Sequence, residues 1–154
     1  MSTPAQGDEV AIVALANKYT DAVNNRDWQR YRSCWTDDAV WDLGHPVDQR
    51  KEGLDAIMDE VRRAVGAMDL FVQMNHAVTV LSVDGDTATA RATLNEIGHV
   101  KPENRDLLGG AEGMFILAIY TDELRRTPDG WKYASRTYAV PYFDPAAPAG
   151  QINP

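Results

Sequence analysis

Apolar and polar residues along the chain follow two rhythms, one helical and one strand-like. From Val10, the residues Ile12, Ala16, Tyr19 and Val23 recur in steps of four, three and four, with Leu15 and Ala22 alongside. That stripe predicts an amphipathic helix, which Asn24-Asn25-Arg26 closes. Asp27 is a suitable N-cap for a short second helix in which Trp28, Tyr31, Cys34 and Trp35 recur at near-helical spacing. Ala39 to Leu43 reads as a short strand that Gly44-His45-Pro46 breaks. A third helix is predicted from about Gly53 to Met68, with Leu54, Ile57, Met58, Val61, Val65 and Met68 as its apolar stripe.

The rest of the chain reads as strand. Phe71 to Val83 alternates loosely, Asp84-Gly85-Asp86 is a hairpin turn, and Thr87 to His99 alternates strictly, with Ala88, Ala90, Ala92 and Leu94 on one face. After a polar loop (Lys101 to Gly113), Met114 to Arg126 and Trp131 to Phe143 form two more strands around the turn Thr127-Pro128-Asp129-Gly130. Residues 1–9 are expected as a loose arm, and the Pro- and Ala-rich residues 144–154 as an extended tail able to cover a pocket. With no internal repeat and no linker, residues 1–154 form one domain. Helices first and long strands last indicate the α+β class, helices packed on one face of a curved, mostly antiparallel sheet. A helical lid on a curled sheet leaves an apolar hollow, the default place for a small ligand.

Composition narrows the partners. The 154 residues carry 15 Lys+Arg and 23 Asp+Glu, a net charge of −8, which repels phosphate backbones and anionic lipid. Nucleic-acid and membrane roles are therefore not expected. The one cysteine, Cys34, has no internal partner, and the N-terminus lacks the blocks of a secretory signal, so a cytoplasmic protein is expected. Phosphate-loop, dinucleotide and metalloprotease motifs are absent, and the three histidines lack ligand spacing, so neither cofactor nor metal is expected.

Chemistry is left to isolated titratable residues beside apolar ones. His76 interrupts an apolar segment and reads either as a backbone-bonded histidine or as a base. Tyr19 lies on the inward stripe of the first helix, and Asn24 at that helix's end reads as a cap or a ligand contact. Glu96 has the parity of Ala92 and Leu94; it faces inward, where a carboxylate needs a partner, unless a bulge turns it to the surface. His99 falls near a strand end, Arg136 in an alternating strand, and Trp41, Phe115 and Tyr138 are core or hollow-lining aromatics.

The segments YTDAVNNRDWQRYRSCWTDDAVWDL, NHAVTVLSVDGDTATARATL and GMFILAIYTDELRRTPDGWKYASRTYAVPYF resemble the SnoaL-like branch of the NTF2-like superfamily. Members of that branch include hexachlorocyclohexane dehydrochlorinase, scytalone dehydratase and bile-acid 7α-dehydratase. The resemblance implies an NTF2-like (cystatin-like) cone and elimination of water or HCl without a cofactor. It implies a histidine base on the first long strand, matched to His76, and an aspartate just past the first helix that orients it, where this chain has Asn24. Tyr19, Glu96, Arg136 and His99 match or fall near further family site positions, and homo-oligomers, trimers above all, are implied. The expectation is a lyase acting on a small apolar cyclic or aromatic molecule, with His76, Tyr19, Glu96 and Asn24 catalytic and Trp41, His99, Phe115, Arg136 and Tyr138 binding substrate. The alternatives are an isomerase or retro-aldol lyase in the same hollow, or a ligand-binding protein in which Asn24 marks a lost dyad.

Overall fold

The structure, a computed structural model, describes residues 6–45 and 47–153. The first helix, α1 (Gln6–Asn24), buries the predicted stripe: Ile12, Leu15, Ala16, Tyr19, Ala22 and Val23. It begins at Gln6, so residues 6–9 are helical rather than part of an arm, and residues 1–5 lie outside the described range. Asp27 caps α2 (Trp28–Arg32) by accepting from the Arg30 N–H at 3.0 Å. The last helix, α3 (Leu54–Gly66), buries Leu54, Ile57, Met58, Val61 and Val65.

Six strands form one open sheet: β1 (Trp35–Asp42), β2 (Arg50–Glu52), β3 (Met68–Asp84), β4 (Thr87–Val100), β5 (Gly113–Thr127) and β6 (Gly130–Asp144). Their order is β2-β1-β6-β5-β4-β3. All neighbouring pairs are antiparallel except β1 with β6, which run parallel. Gly85, at φ +56°, makes the β3–β4 turn that alternation and the Asp-Gly pair indicated. Between β4 and β5 a short 3-10 helix occupies Pro102–Leu108.

The strands differ in regularity, and this decides where side chains point. The β4–β5 ladder is unbroken from Thr87↔Arg125 to His99↔Gly113, so even-numbered residues of β4 keep one face throughout. In β3 the register slips three times against β4, leaving Asp69, His76 and Leu81 as extra residues opposite no partner of their own. Each bulge bends the strand and resets its alternation. α1 lies across β3, α3 reaches β1, and the even residues of β4 and β5 close the core beneath them.

Candidate active site

The hollow under the helices is a cavity of ≈ 510 Å³, within the range of small-molecule sites. Most of its wall is apolar: Val23 from α1, Val61 and Val65 from α3, Phe71 from β3, and Met114 and Ile116 from β5. Its charged side chains are Glu96 within the sheet and Glu60 with Arg63 on α3.

Glu96 is buried, and both of its carboxylate oxygens accept hydrogen bonds: Gln73 Nε2 donates to Oε1 at 2.7 Å and the Tyr138 hydroxyl donates to Oε2 at 2.6 Å. Burial pushes the Glu96 carboxyl above the usual glutamate range, against the pull of those two donors and the Arg136 charge. The groups on α3 behave oppositely. Burial pushes Glu60 up too, but the bonds from Arg63 (2.6 Å) and Lys51 (3.3 Å) outweigh it and hold that carboxyl below its ordinary value. One cavity thus carries two carboxylates driven apart in acidity, the arrangement by which proteins separate a proton carrier from a fixed charge.

Gln73 is held by α1. The Asn24 Oδ1 accepts the Gln73 backbone N–H at 2.7 Å, and Asn24 Nδ2 donates to the Gln73 carbonyl at 2.8 Å. Because β3 is an edge strand, its outer backbone groups lack a neighbouring strand. Asn24 supplies one residue's worth of that missing pairing. The Thr20 hydroxyl then donates to Gln73 Oε1 at 3.1 Å, and Asn75 Nδ2 donates to Thr20 Oγ1 at 2.7 Å.

Below the cavity floor sits a buried ion pair. Arg136 binds Asp122 through two bonds, 2.7 and 3.1 Å, and its guanidinium carbon lies 4.4, 3.7 and 4.0 Å from the ring centroids of Tyr19, Tyr120 and Tyr133. Such a cage keeps a buried cation satisfied on its faces as well as at its edge. Tyr19 shares a 2.8 Å hydrogen bond with Tyr31, and burial raises its phenol above the usual range.

The structure thus brings together Tyr19, Trp41, Glu96 and Tyr138 on the cavity wall. It does not place His76 there. His76 is the bulge residue of β3; it is exposed on the opposite face of the sheet, its Nε2 paired with Asn95 Oδ1. Asn24 stands behind the wall as the clamp on Gln73 rather than in it. Arg136 points inward but is enclosed by Asp122 and the tyrosines beneath the floor. Odd parity turns Phe115 and His99 outward: Phe115 packs on Tyr142, and His99 Nδ1 pairs with Asp69 at 2.7 Å. Residues 145–153 of the tail also stay off the wall, the Pro145 carbonyl accepting from the Glu112 and Gly113 N–H groups, and residue 154 lies outside the described range. The sequence reading misses Gln73, Tyr120, Glu60 and Arg63. For Gln73 the available signal was an amide set in an apolar run three residues before His76. Among the described residues no group of three or more His, Cys, Asp or Glu is placed to hold a metal ion, and no helix is long and apolar enough to cross a membrane.

Against known proteins, residues 6–137 match the SnoaL-like domain. The chain belongs to the SnoaL-like family. Gamma-hexachlorocyclohexane dehydrochlorinase of Sphingobium indicum is 30% identical over 137 residues, covering 87% of this chain and 83% of the enzyme. Among solved structures, hexachlorocyclohexane dehydrochlorinase LinA-type3 from Novosphingobium barchaimii superposes with a TM-score of 0.76 at 23% identity, over 94% of each chain. The Kfla4162 protein from Kribbella flavida gives 0.80 at 22% identity, over 92% of this chain and 95% of its own. These solved structures share the fold, and the curated relatives are dehydrochlorinases, enzymes of the lyase class.

Proposed function

We propose that the cavity is the active site of a cofactor-independent lyase that removes a proton from a carbon of a small, largely apolar, cyclic or aromatic substrate. Glu96, in place of His76, is the proton acceptor. The observation that carries this reading is the Glu96 carboxyl: it lines the hollow, and burial raises its proton affinity. In the elimination the C–H bond breaks toward Glu96, its electron pair forms the double bond, and the bond to a hydroxyl or halide on the adjacent carbon breaks. Tyr19 in the same wall supports a departing oxygen by donating from its hydroxyl, while Tyr31 donates to Tyr19. The family resemblance pairs a histidine with the acid at position 24. Asn24 here grips the main chain of Gln73, whose side-chain amide lines the cavity where His76 does not, and this reading sets Gln73 in the histidine's place, which makes both members of the dyad amides. The dehydrochlorinase relatives support the reaction class.

That double amide also favours a second reading, a small-ligand-binding protein with no turnover. The two part on one experiment: a panel of cyclic β-hydroxy and β-chloro carbon acids incubated with the protein, products read by mass spectrometry. The lyase reading expects turnover that falls by about 10²–10⁴ in Glu96→Gln. Glu96→Gln turning over at the wild-type rate removes Glu96 from the chemistry. Panel members that bind without reacting establish the second reading.

A further inference from the structure

The half-buried Thr20, on the face of α1 toward β3, has no part in the reaction just described, yet the direction of the hydrogen bonds reaching Glu96 runs through it. A side-chain amide has two unlike ends, and either could face a neutral carboxylic acid. What fixes Gln73 is the hydroxyl behind it. A helical threonine ordinarily turns its O–H back to the carbonyl four residues earlier, here that of Ala16. Asn75 blocks that choice: its Nδ2 reaches the Ala16 carbonyl at 3.2 Å and donates to Thr20 Oγ1 at 2.7 Å. The Thr20 hydrogen is left for Gln73 Oε1, 3.1 Å away, which aims Gln73 Nε2 at Glu96. Tyr138 closes the other oxygen.

We propose that Thr20 is a positioning residue for Glu96: by holding the Gln73 amide in one orientation, it leaves the cavity side as the place where Glu96 takes up and gives back a proton. The donors run in one sense, from Asn75 through Thr20 and Gln73 to Glu96 Oε1. With Gln73 and Tyr138 both donating, a proton on the carboxyl sits on a lone pair facing the hollow. The catalytic meaning of this arrangement rests on the lyase reading above; the arrangement itself does not.

The groups that set the Glu96 titration come from every packed element. Tyr138 and Arg136 lie on β6, Tyr120 on β5, Gln73 on β3 and Tyr19 on α1, with Glu60 and Arg63 on α3 in the same cavity. Of these it is Gln73 that bonds to the Thr20 side chain, so a change at position 20 reaches the carboxyl through the Gln73 amide. The test is a ¹³C-carboxyl NMR titration of glutamate-labelled protein, the Glu96 signal assigned by its loss in Glu96→Gln. Thr20→Val frees the amide to rotate and raises the Glu96 midpoint by about one unit, the scale of one hydrogen bond to a charged group. Thr20→Ser, which keeps the hydroxyl, leaves it at the wild-type value. A wild-type midpoint in Thr20→Val, or an equal rise in Thr20→Ser, overturns the proposal. Asn75→Ala is the second variant, in case the valine protein does not fold: with the Ala16 carbonyl released, the hydroxyl turns to it and the midpoint rises in the same direction. No movement there overturns the proposal too. Failure of the lyase reading shows instead as retained turnover in Glu96→Gln, which leaves this titration unaffected.

Discussion

Asn24→Asp would nominally restore the acid of the family pattern, and the structure predicts that it weakens the protein. The amide meets one peptide unit twice, accepting from the Gln73 N–H at 2.7 Å and donating to its carbonyl at 2.8 Å. An aspartate keeps the first bond and loses the second, and it sets a charged oxygen against the Gln73 carbonyl oxygen. A lost hydrogen bond is worth about 0.5–1.5 kcal/mol, and an unmatched buried acceptor about 1–3. Asn24 is half-buried, so water relieves part of this, and about 1–2 kcal/mol at pH 7 is expected. For a chain of this length that lowers the melting temperature by roughly 2–8 °C. A protonated aspartate can donate to the carbonyl, so the folded state raises the pKa of the new acid above its unfolded value of about 3.9. The penalty is therefore absent below that unfolded value and grows in as pH rises through the folded one. Urea unfolding at pH 4 and pH 7 measures it, with Asn24→Ala, which loses both bonds, destabilised at both. An Asn24→Asp protein as stable as wild type at pH 7, or a deficit equal at the two pH values, would refute the clamp.

Two further predictions concern buried charge. Asp122→Ala strands the Arg136 guanidinium among three phenol rings and should cost about 3–5 kcal/mol, or roughly 6–20 °C in melting temperature, whereas Asp122→Leu with Arg136→Met recovers most of it. Melting curves of the two variants decide this, and a single variant as stable as the double one would show that the pair is not needed. For Glu96, burial raises the folded pKa, so its contribution to stability declines as pH rises above the unfolded value of about 4.3. Glu96→Gln has no such titration, so its stability relative to wild type should increase between pH 4.5 and pH 8 in urea unfolding, and a flat difference would contradict the raised affinity.

Features set by local periodicity were legible in the sequence. The stripes of α1 and α3, the Asp27 cap and the Gly85 turn each depend on residues a few positions apart, and they emerge where expected, except that α3 ends at Gly66 and Met68 opens β3. β2 has three residues and no alternation, and it exists only because Arg50 to Glu52 lie beside β1. The direction of Glu96 could be read by counting because β4 carries no bulge. The same count fails for His76, since three register slips in β3 erase the parity on which counting depends. Gln73 draws its importance from Asn24, 49 residues away, and from Glu96 across the ladder; its residue type alone suggests no chemistry. Arg136 alternates like a surface residue, and only its cross-strand pairing with Asp122 reveals a buried charge.

The bulge at His76 makes strand length, as much as residue identity, a determinant of what this protein can do. Met74 and His76 face solvent while Gln73 and Asn75 face the helix, so with Gln73 held in place the loss of Met74 would turn Asn75 outward and His76 inward. An imidazole would then swing beneath α1 with no side chain replaced. In a scaffold built this way, a one-codon deletion in an edge strand rewrites the reactive inventory of the interior.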